Sequence, residues 1–317
     1  MTVGLVVGKF APLHRGHQLV IESARHQSDH VIVAVYDSPQ FEPRVSIRAG
    51  WIGSLYPDVE TLVLPDSCPK GSDTKVTAVY AKQWLALRRE IATVFSSESY
   101  GERFAHEIGA SHTAVDPRRR LVPVSGSSIR ADPYAHRRFL EPIVYRDLVR
   151  KVCLVGAEST GKTSLAAALA RHFSTCWAPE YGRELYERKR GVLDFDDLLE
   201  IAREHLRREE RLRLNSRRYL FCDTNALATV FWSRFYFSRV DPELERLAQS
   251  VQNDYDYVLC AADIPYEQDG WRETGGGSEW LRHQAEIREG LERRGLAYID
   301  ARGTLAERVT AISELLS

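Results

Sequence analysis

The sequence predicts an α/β protein built of two doubly wound parallel-sheet domains, residues 1–148 and 149–317. Three observations carry that expectation. Short apolar runs alternate with helical stretches, and the pattern restarts near residue 149. In each half the first apolar run leads straight into a glycine-bearing loop: Gly8-Lys9-Phe10-Ala11-Pro12-Leu13-His14-Arg15-Gly16-His17, and Gly156-Ala157-Glu158-Ser159-Thr160-Gly161-Lys162-Thr163. A length of 317 residues is enough for two ordinary cores.

Val3 to Val7 is the first strand of a β-loop-α-β unit, with a helix from His17 to about His26 and a second strand Val31–Tyr36. Thr61–Leu64 and Ala92–Ser96 continue the strand series. Helices are expected from about Val76 to Ile91 and from about Tyr100 to Ile108. Pro133 and Pro142 punctuate a polar segment expected to join the halves. The second half opens on a strand, Lys151–Gly156, then the phosphate-type loop and a helix through about Phe173. Thr175–Ala178, Tyr219–Asp223, Tyr257–Ala262 and Ala297–Ile299 complete five strands. Phe195–Ser216, dense in Arg and Glu, is expected to be a solvated helix laced with internal ion pairs.

Residues 1–150 carry 19 Lys and Arg against 16 Asp and Glu, and the remainder 24 against 28. Neither half has the basic excess of a nucleic-acid binder. No stretch reaches the roughly 18 apolar residues of a membrane span, and the chain opens without a basic-then-apolar leader. Cys68, Cys153, Cys176, Cys222 and Cys260 show no C-x-x-C spacing, which suits small buried thiols in a reducing compartment. The expectation is a cytoplasmic protein with small-molecule partners, using neither nucleic acid nor membrane; a homo-oligomer is left open.

The first loop suits adenylyl transfer, in which a nucleophile meets the α-phosphorus of ATP while pyrophosphate leaves with growing negative charge. Orientation and charge stabilisation must do most of that work. His14 and His17 can place two ring N–H donors on a triphosphate, Gly8 and Gly16 allow close backbone approach, and Lys9 and Phe10 complete the loop. Ser125, Gly126, Ser127 and Ser128 precede Arg130 at a second helix start, reading as an anion nest with a planar guanidinium beside it. These features make the first domain Rossmann-like and a nucleotidyltransferase.

The second loop is the G-x-x-x-x-G-K-[ST] pattern between a strand and a helix, the context that makes it specific. Its backbone from Gly156 through Glu158, Ser159, Thr160 and Gly161 to Ser164 should cradle ATP phosphates. Lys162 should reach the β and γ phosphates, and Thr163 should ligate Mg²⁺. Asp223 is placed to hold that Mg²⁺ through its water shell, the rival reading being a cap for the next helix. Glu180 and Arg183 follow the second strand of this half, at the edge where doubly wound folds bind substrate. Glu180 is the candidate to orient or deprotonate an attacking hydroxyl, against the plain alternative of a surface carboxylate. Asp263 to Arg272, followed by Gly275-Gly276-Gly277, reads as a closing segment in which an aromatic covers a base and Arg272 reaches the transferring phosphoryl group. These features make the second domain a P-loop kinase.

With these motifs in this order, joined by Ser97-Glu98-Ser99-Tyr100-Gly101, Glu180-Tyr181-Gly182-Arg183-Glu184, Asp223-Thr224 and Asp269-Gly270-Trp271-Arg272, the chain resembles the NadR-type enzymes along nearly its full length. These join a nicotinamide-mononucleotide adenylyltransferase to a ribosylnicotinamide kinase. The resemblance implies that the C-terminal half phosphorylates nicotinamide riboside with MgATP. The N-terminal half would then join nicotinamide mononucleotide (NMN) to the AMP part of a second ATP, giving NAD and pyrophosphate. It also implies a substrate clamp at Tyr266, where the family often has Trp, and offers Trp84 for stacking nicotinamide, a packing role being its alternative. Some members begin with a helix-turn-helix domain; here the first strand starts at Val3, so DNA binding is not expected. A fused phosphopantetheine adenylyltransferase and dephospho-coenzyme A kinase, or a nucleotide sensor with one inactive site, would also pair two such loops.

Overall fold

The computed structural model describes residues 1–38, 40–64, 90–266 and 277–316. The chain falls into two compact units, Met1–Leu148 and Val149–Ser317.

In the first unit, β1 (Val3–Gly8), β2 (His30–Tyr36), β3 (Glu60–Leu64), β4 (Thr93–Ser96) and β5 (Ser111–Ala114) form one sheet in the order β3-β2-β1-β4-β5. Every pairing is parallel, Val3 facing His30 and Gly8 facing Val35 across β1 and β2. Helices α1 (Arg15–Gln27), α2 (Val45–Leu55), α3 (Gly101–Ile108), α4 (Gly126–Ala131) and α5 (Pro142–Leu148) accompany the strands. Val3 and Leu5 to Val7 are buried on both sides of the pleat, which is why β1 reads as a continuous apolar run rather than an alternating one. The connection from β1 leads to one side of the sheet and that from β4 to the other. The chain reverses between β1 and β4, the place where a doubly wound sheet opens a crevice beyond its strand ends.

α2 and β5 were not expected. The polar segment around Pro133 and Pro142 lies within the first unit: it leads from α4 into α5, which buries Val144 and Tyr145 and ties Asp147 to the Trp51 indole N–H at 2.9 Å. Pro142 begins α5, a position where its missing N–H is harmless. Of the helix expected at 76–91, Glu90 and Ile91 are not helical and the rest lies outside the described residues.

In the second unit, β6 (Arg150–Val155), β7 (Trp177–Ala178), β8 (Tyr219–Asp223), β9 (Tyr255–Cys260) and β10 (Tyr298–Ala301) form a parallel sheet in the order β10-β9-β6-β8-β7. Its helices are α6 (Lys162–His172), α7 (Tyr181–Arg188), α8 (Asp197–Arg213), α9 (Ala226–Phe237), α10 (Pro242–Val251), α11 (Ser278–Arg293) and α12 (Leu305–Leu316). Val152, Leu154, Leu165, Leu169, Phe221, Val258 and Ile312 pack into one core. The chain leaves β6 toward β7 and leaves β8 toward β9, on opposite sides, so the crevice here lies at the ends of β6 and β8.

α8 corrects the expectation of a solvated helix. Its ion pairs exist, Arg208 to Glu204 at 2.7 Å among them, but Leu198, Ile201, Ala202, His205 and Glu209 form a buried stripe at helical spacing. Glu209 is fully buried and accepts from Tyr255 Oη (2.6 Å) and Lys151 Nζ (3.3 Å). Cys153, Cys222 and Cys260 lie buried in β6, β8 and β9 as free thiols, and Cys68 lies outside the described residues. Among the described residues no helix is long and apolar enough to cross a membrane.

Candidate active sites

In the first unit the chain leaves β1 at Gly8 and turns through residues 9–14 into α1. His14 caps that helix: its backbone is extended, and its Nδ1 accepts from the N–H groups of Gly16 (3.1 Å) and His17 (3.4 Å). An imidazole that accepts at Nδ1 carries its proton on Nε2. Burial, then the nearby Arg119 charge, lowers the His14 pKa to about 4, so the ring is neutral near pH 7. His17 stacks on it at 3.7 Å between centroids and is held well below the ordinary histidine value, by burial first and then by His14 and Arg119. Two neutral rings, each with one N–H, suit donation to phosphate oxygen rather than acid catalysis. A side chain at Gly16 would bring its Cβ within 3.0 Å of the His14 ring, so glycine there protects the cap as well as access to the loop.

His14→Ala is expected to destabilise the first unit by about 1 kcal/mol through loss of the cap. His14→Asn should restore the denaturation midpoint, because Asn caps as well.

A cavity of about 430 Å³ opens at the β1–β4 crevice. Of the sequence-predicted residues, Gly8, Lys9, Phe10, His17 and Arg130 line it; His14, Gly16, Ser125, Ser127 and Ser128 stand outside its lining. The Arg130 guanidinium lies over the Phe41 ring at 4.7 Å and donates to the Ala11 carbonyl (2.5 Å) and Ser127 Oγ (3.2 Å). Ser125 and Ser128 differ from the expected nest. Ser125 Oγ accepts from the Ser128 N–H at 3.1 Å and Ser128 Oγ from the Ser125 N–H at 3.2 Å, a capping box that fixes the start of α4. Their hydroxyls thereby aim Arg130 at the cavity. Behind the loop, the fully buried Arg48 guanidinium donates to the carbonyls of Lys9, Pro43 and Tyr36. Trp84 lies outside the described residues.

In the second unit the phosphate loop leaves β6 at Gly156, whose φ of +150° strains any side chain and where a Cβ would come within 2.9 Å of the Cys260 carbonyl oxygen. Three side chains from later in the chain hold the loop from behind. The Gln284 side chain accepts from the Ala157 N–H (2.8 Å) and donates to the Cys260 carbonyl (2.9 Å). Trp280 donates to the Glu158 carbonyl (2.6 Å) and Arg308 to the Thr160 carbonyl (2.7 Å). Lys162 Nζ donates to the Ala157 carbonyl at 2.8 Å, and Thr160 Oγ1 to the same oxygen at 2.9 Å.

Asp223 ends β8 fully buried; its Oδ2 accepts from Thr163 Oγ1 at 2.5 Å, and its Oδ1 has no hydrogen-bond partner among the described residues. It does not cap α9: Asn225 does, accepting from the Ala228 N–H. Glu180 stands at the start of α7 without a capping bond, and its carboxyl faces the cavity with Arg183 and Lys162. Burial first, then the Asp223 charge, pushes its pKa up to about 7. Burial raises Asp223 too, but Lys162 and the Thr163 hydroxyl favour its ionised form, so Glu180 is the member of the pair left to take a proton. α7 is held in place by Arg208 on Glu184 (2.6 and 2.8 Å) and by the Tyr181 N–H on His205 Nε2 (3.4 Å).

The cavity here measures about 540 Å³. Glu158, Ser159, Gly161, Lys162, Thr163, Ser164, Glu180 and Arg183 line it; Gly156, Thr160 and Asp223 lie just behind its wall. Tyr266 packs edge-on against Trp280 at 5.6 Å and does not line it, and Arg272 lies outside the described residues. The sequence reading missed the aromatic wall of Tyr186, Trp232, Tyr236 and Phe237. Its signal was the run Phe231-Trp232-Ser233-Arg234-Phe235-Tyr236-Phe237, in which Trp232 and Tyr236 fall one turn apart and stack at 5.5 Å.

Two parallel-sheet units, each with a glycine loop and a cavity at its reversal point, define a tandem nucleotide-binding α/β protein. Residues 151–308 match the family described as AAA domain. The trifunctional NAD biosynthesis/regulator protein NadR of Escherichia coli K12 is 26% identical over 323 residues, covering 94% of this chain and 78% of that protein. That of Salmonella typhimurium LT2 is 26% identical over 322 residues, with the same coverage. A nicotinamide-nucleotide adenylyltransferase of Methanoculleus marisnigri is 27% identical over 160 residues, 48% of this chain and 92% of that protein. Crystal structures of NadR protein, one in complex with NR and one with NAD and AMP-PNP, share the fold at a TM-score of 0.62 and 20% identity, covering 99% of this chain and 95% of theirs. The chain is homologous to NadR.

Proposed function

We propose that the chain is a bifunctional enzyme of NAD salvage: its second unit phosphorylates nicotinamide riboside with ATP, and its first unit adenylylates the resulting NMN to NAD. The observation that carries this reading is the pair of clefts, one lined by His17 and Arg130 with the His14 ring stacked on His17, the other by Lys162 and the Glu180 carboxyl with a pKa near 7, with Asp223 bonded to Thr163 in its wall. Homology to NadR runs through both.

In the kinase cleft the riboside ring lies against the Trp232 and Tyr236 wall, and its 5′-hydroxyl gives its proton to Glu180. Arg183 and Lys162 receive the transferring phosphoryl group, Lys162 exchanging the Ala157 carbonyl for phosphate oxygens. Thr163 Oγ1 and the two oxygens of Asp223, one without a hydrogen-bond partner among the described residues, are hard donors that fit Mg²⁺. Among the described residues no three His, Cys, Asp or Glu side chains are grouped to hold a metal, so phosphates would supply the remaining ligands. When bound, Mg²⁺ neutralises charge on the β and γ phosphates. In the transferase cleft, His17, Lys9 and Arg130 hold the triphosphate while the NMN phosphate attacks the α-phosphorus and pyrophosphate departs. His14 fixes the ring of His17 and the start of α1. Both steps are placed in the cytoplasm.

Incubation with nicotinamide riboside, ATP and Mg²⁺, with NMN, ADP, NAD and pyrophosphate followed separately, tests the assignment. NMN and ADP should precede NAD and pyrophosphate; turnover of dephospho-coenzyme A with none of the riboside would overturn it. Riboside phosphorylation should also rise with pH through an apparent pKa of about 7, because Glu180 accepts the proton only when ionised. Glu180→Gln should remove that limb and lower kcat far more than ATP affinity.

A further inference from the structure

Glu158 is an unusual member of a loop that otherwise presents N–H groups and Lys162, since a carboxylate in a polyphosphate cradle opposes its ligand. Its backbone is fixed by the Trp280 indole on its carbonyl, and its carboxylate accepts from the Tyr236 hydroxyl at 2.9 Å. That bond brings the charge to the aromatic wall, where Tyr236 stacks on Trp232 at 7° between planes. All three side chains line the 540 Å³ cavity. Aromatic faces attract cations, and a carboxylate at their rim adds to the attraction for a flat positive ring.

We infer that Glu158, Trp232 and Tyr236 form a subsite for a planar cationic ring, so that the kinase cleft selects N-ribosyl pyridinium cations over nucleosides with neutral bases. The inference rests on the reading above, because nicotinamide riboside carries its positive charge on the ring. It moves Glu158 from the ATP loop's phosphate contacts to recognition of the phosphoryl acceptor.

The test compares the full chain and Glu158→Gln on nicotinamide riboside and on its neutral 1,4-dihydropyridine riboside, with ATP KM measured alongside. Wild type should prefer the cation. Glu158→Gln should lower kcat/KM for the cation by about tenfold or more while changing the neutral riboside within about twofold, without raising ATP KM. Tyr236→Phe, which keeps the ring and removes the hydroxyl, should give a smaller loss confined to the cation. Equal losses on both ribosides would assign Glu158 to the sugar and overturn the inference, as would no loss, or a raised ATP KM with riboside kinetics unchanged. A wild type inert toward both ribosides would instead remove the underlying functional reading, and the inference with it.

Discussion

Replacing Lys162 with alanine is expected to lower NMN formation from the riboside by about 10³-fold, while NAD formation from supplied NMN and ATP stays near wild type. The magnitude follows from removing a preorganised positive group from the site where charge develops in phosphoryl transfer. Lys162 is 7% exposed and its ammonium already donates to the Ala157 carbonyl, so it is preordered near its task and its own charge need not be newly buried when ATP arrives. Alanine leaves that carbonyl shared only with Thr160 Oγ1, which preserves the loop's shape and makes the loss mainly one of kcat. A product-resolved assay reads both reactions in one sample, and loss of both in a folded variant would refute independent clefts.

His17→Ala is expected to do the reverse: NAD formation from NMN falls by about 10²- to 10³-fold and riboside phosphorylation is unaffected. His17 lines the transferase cavity and is held between the His14 and Phe10 rings, at 3.7 and 5.0 Å. Because both imidazoles are neutral well below pH 7, the loss should be the same at pH 6.5 and pH 8. A loss that disappeared at one end of that range would show a titrating acid instead of a fixed donor.

The parts of this architecture that announce themselves in sequence are those where backbone geometry demands a residue type. Both glycine loops, and β8 at Tyr219–Asp223, are legible because strands buried on both faces must be apolar and loops approached by phosphate must be bare. α2 was not, since Gly50 and Gly53 interrupt a segment whose apolar residues are not gathered on one stripe. β5, Ser-His-Thr-Ala, lies at the edge of its sheet with its residues exposed or half-buried, so nothing in it has to be apolar. α8 was read from its charges and misjudged, because Glu209 is an acid compensated by Lys151 and Tyr255, residues far away in sequence. The same limit hid the aromatic wall: Trp232 and Tyr236 look like core until α9 is placed beside the loop. Tyr266, offered as the clamp by the resemblance, packs edge-on against Trp280.

The Arg308 contact with the Thr160 carbonyl joins residues 148 positions apart. During synthesis, the glycine loop of the second unit emerges long before α12; bonds within it shape it locally, but the Arg308 clasp closes only after a long stretch of chain has been ordered. Arg130 meets the first loop at Ala11 across 119 positions, all of them within the first unit. The clasp of the first loop can therefore close on chain that ends within its own unit, whereas that of the second waits for the last helix, so the two cradles become closable in the opposite order to the one in which their substrates are consumed.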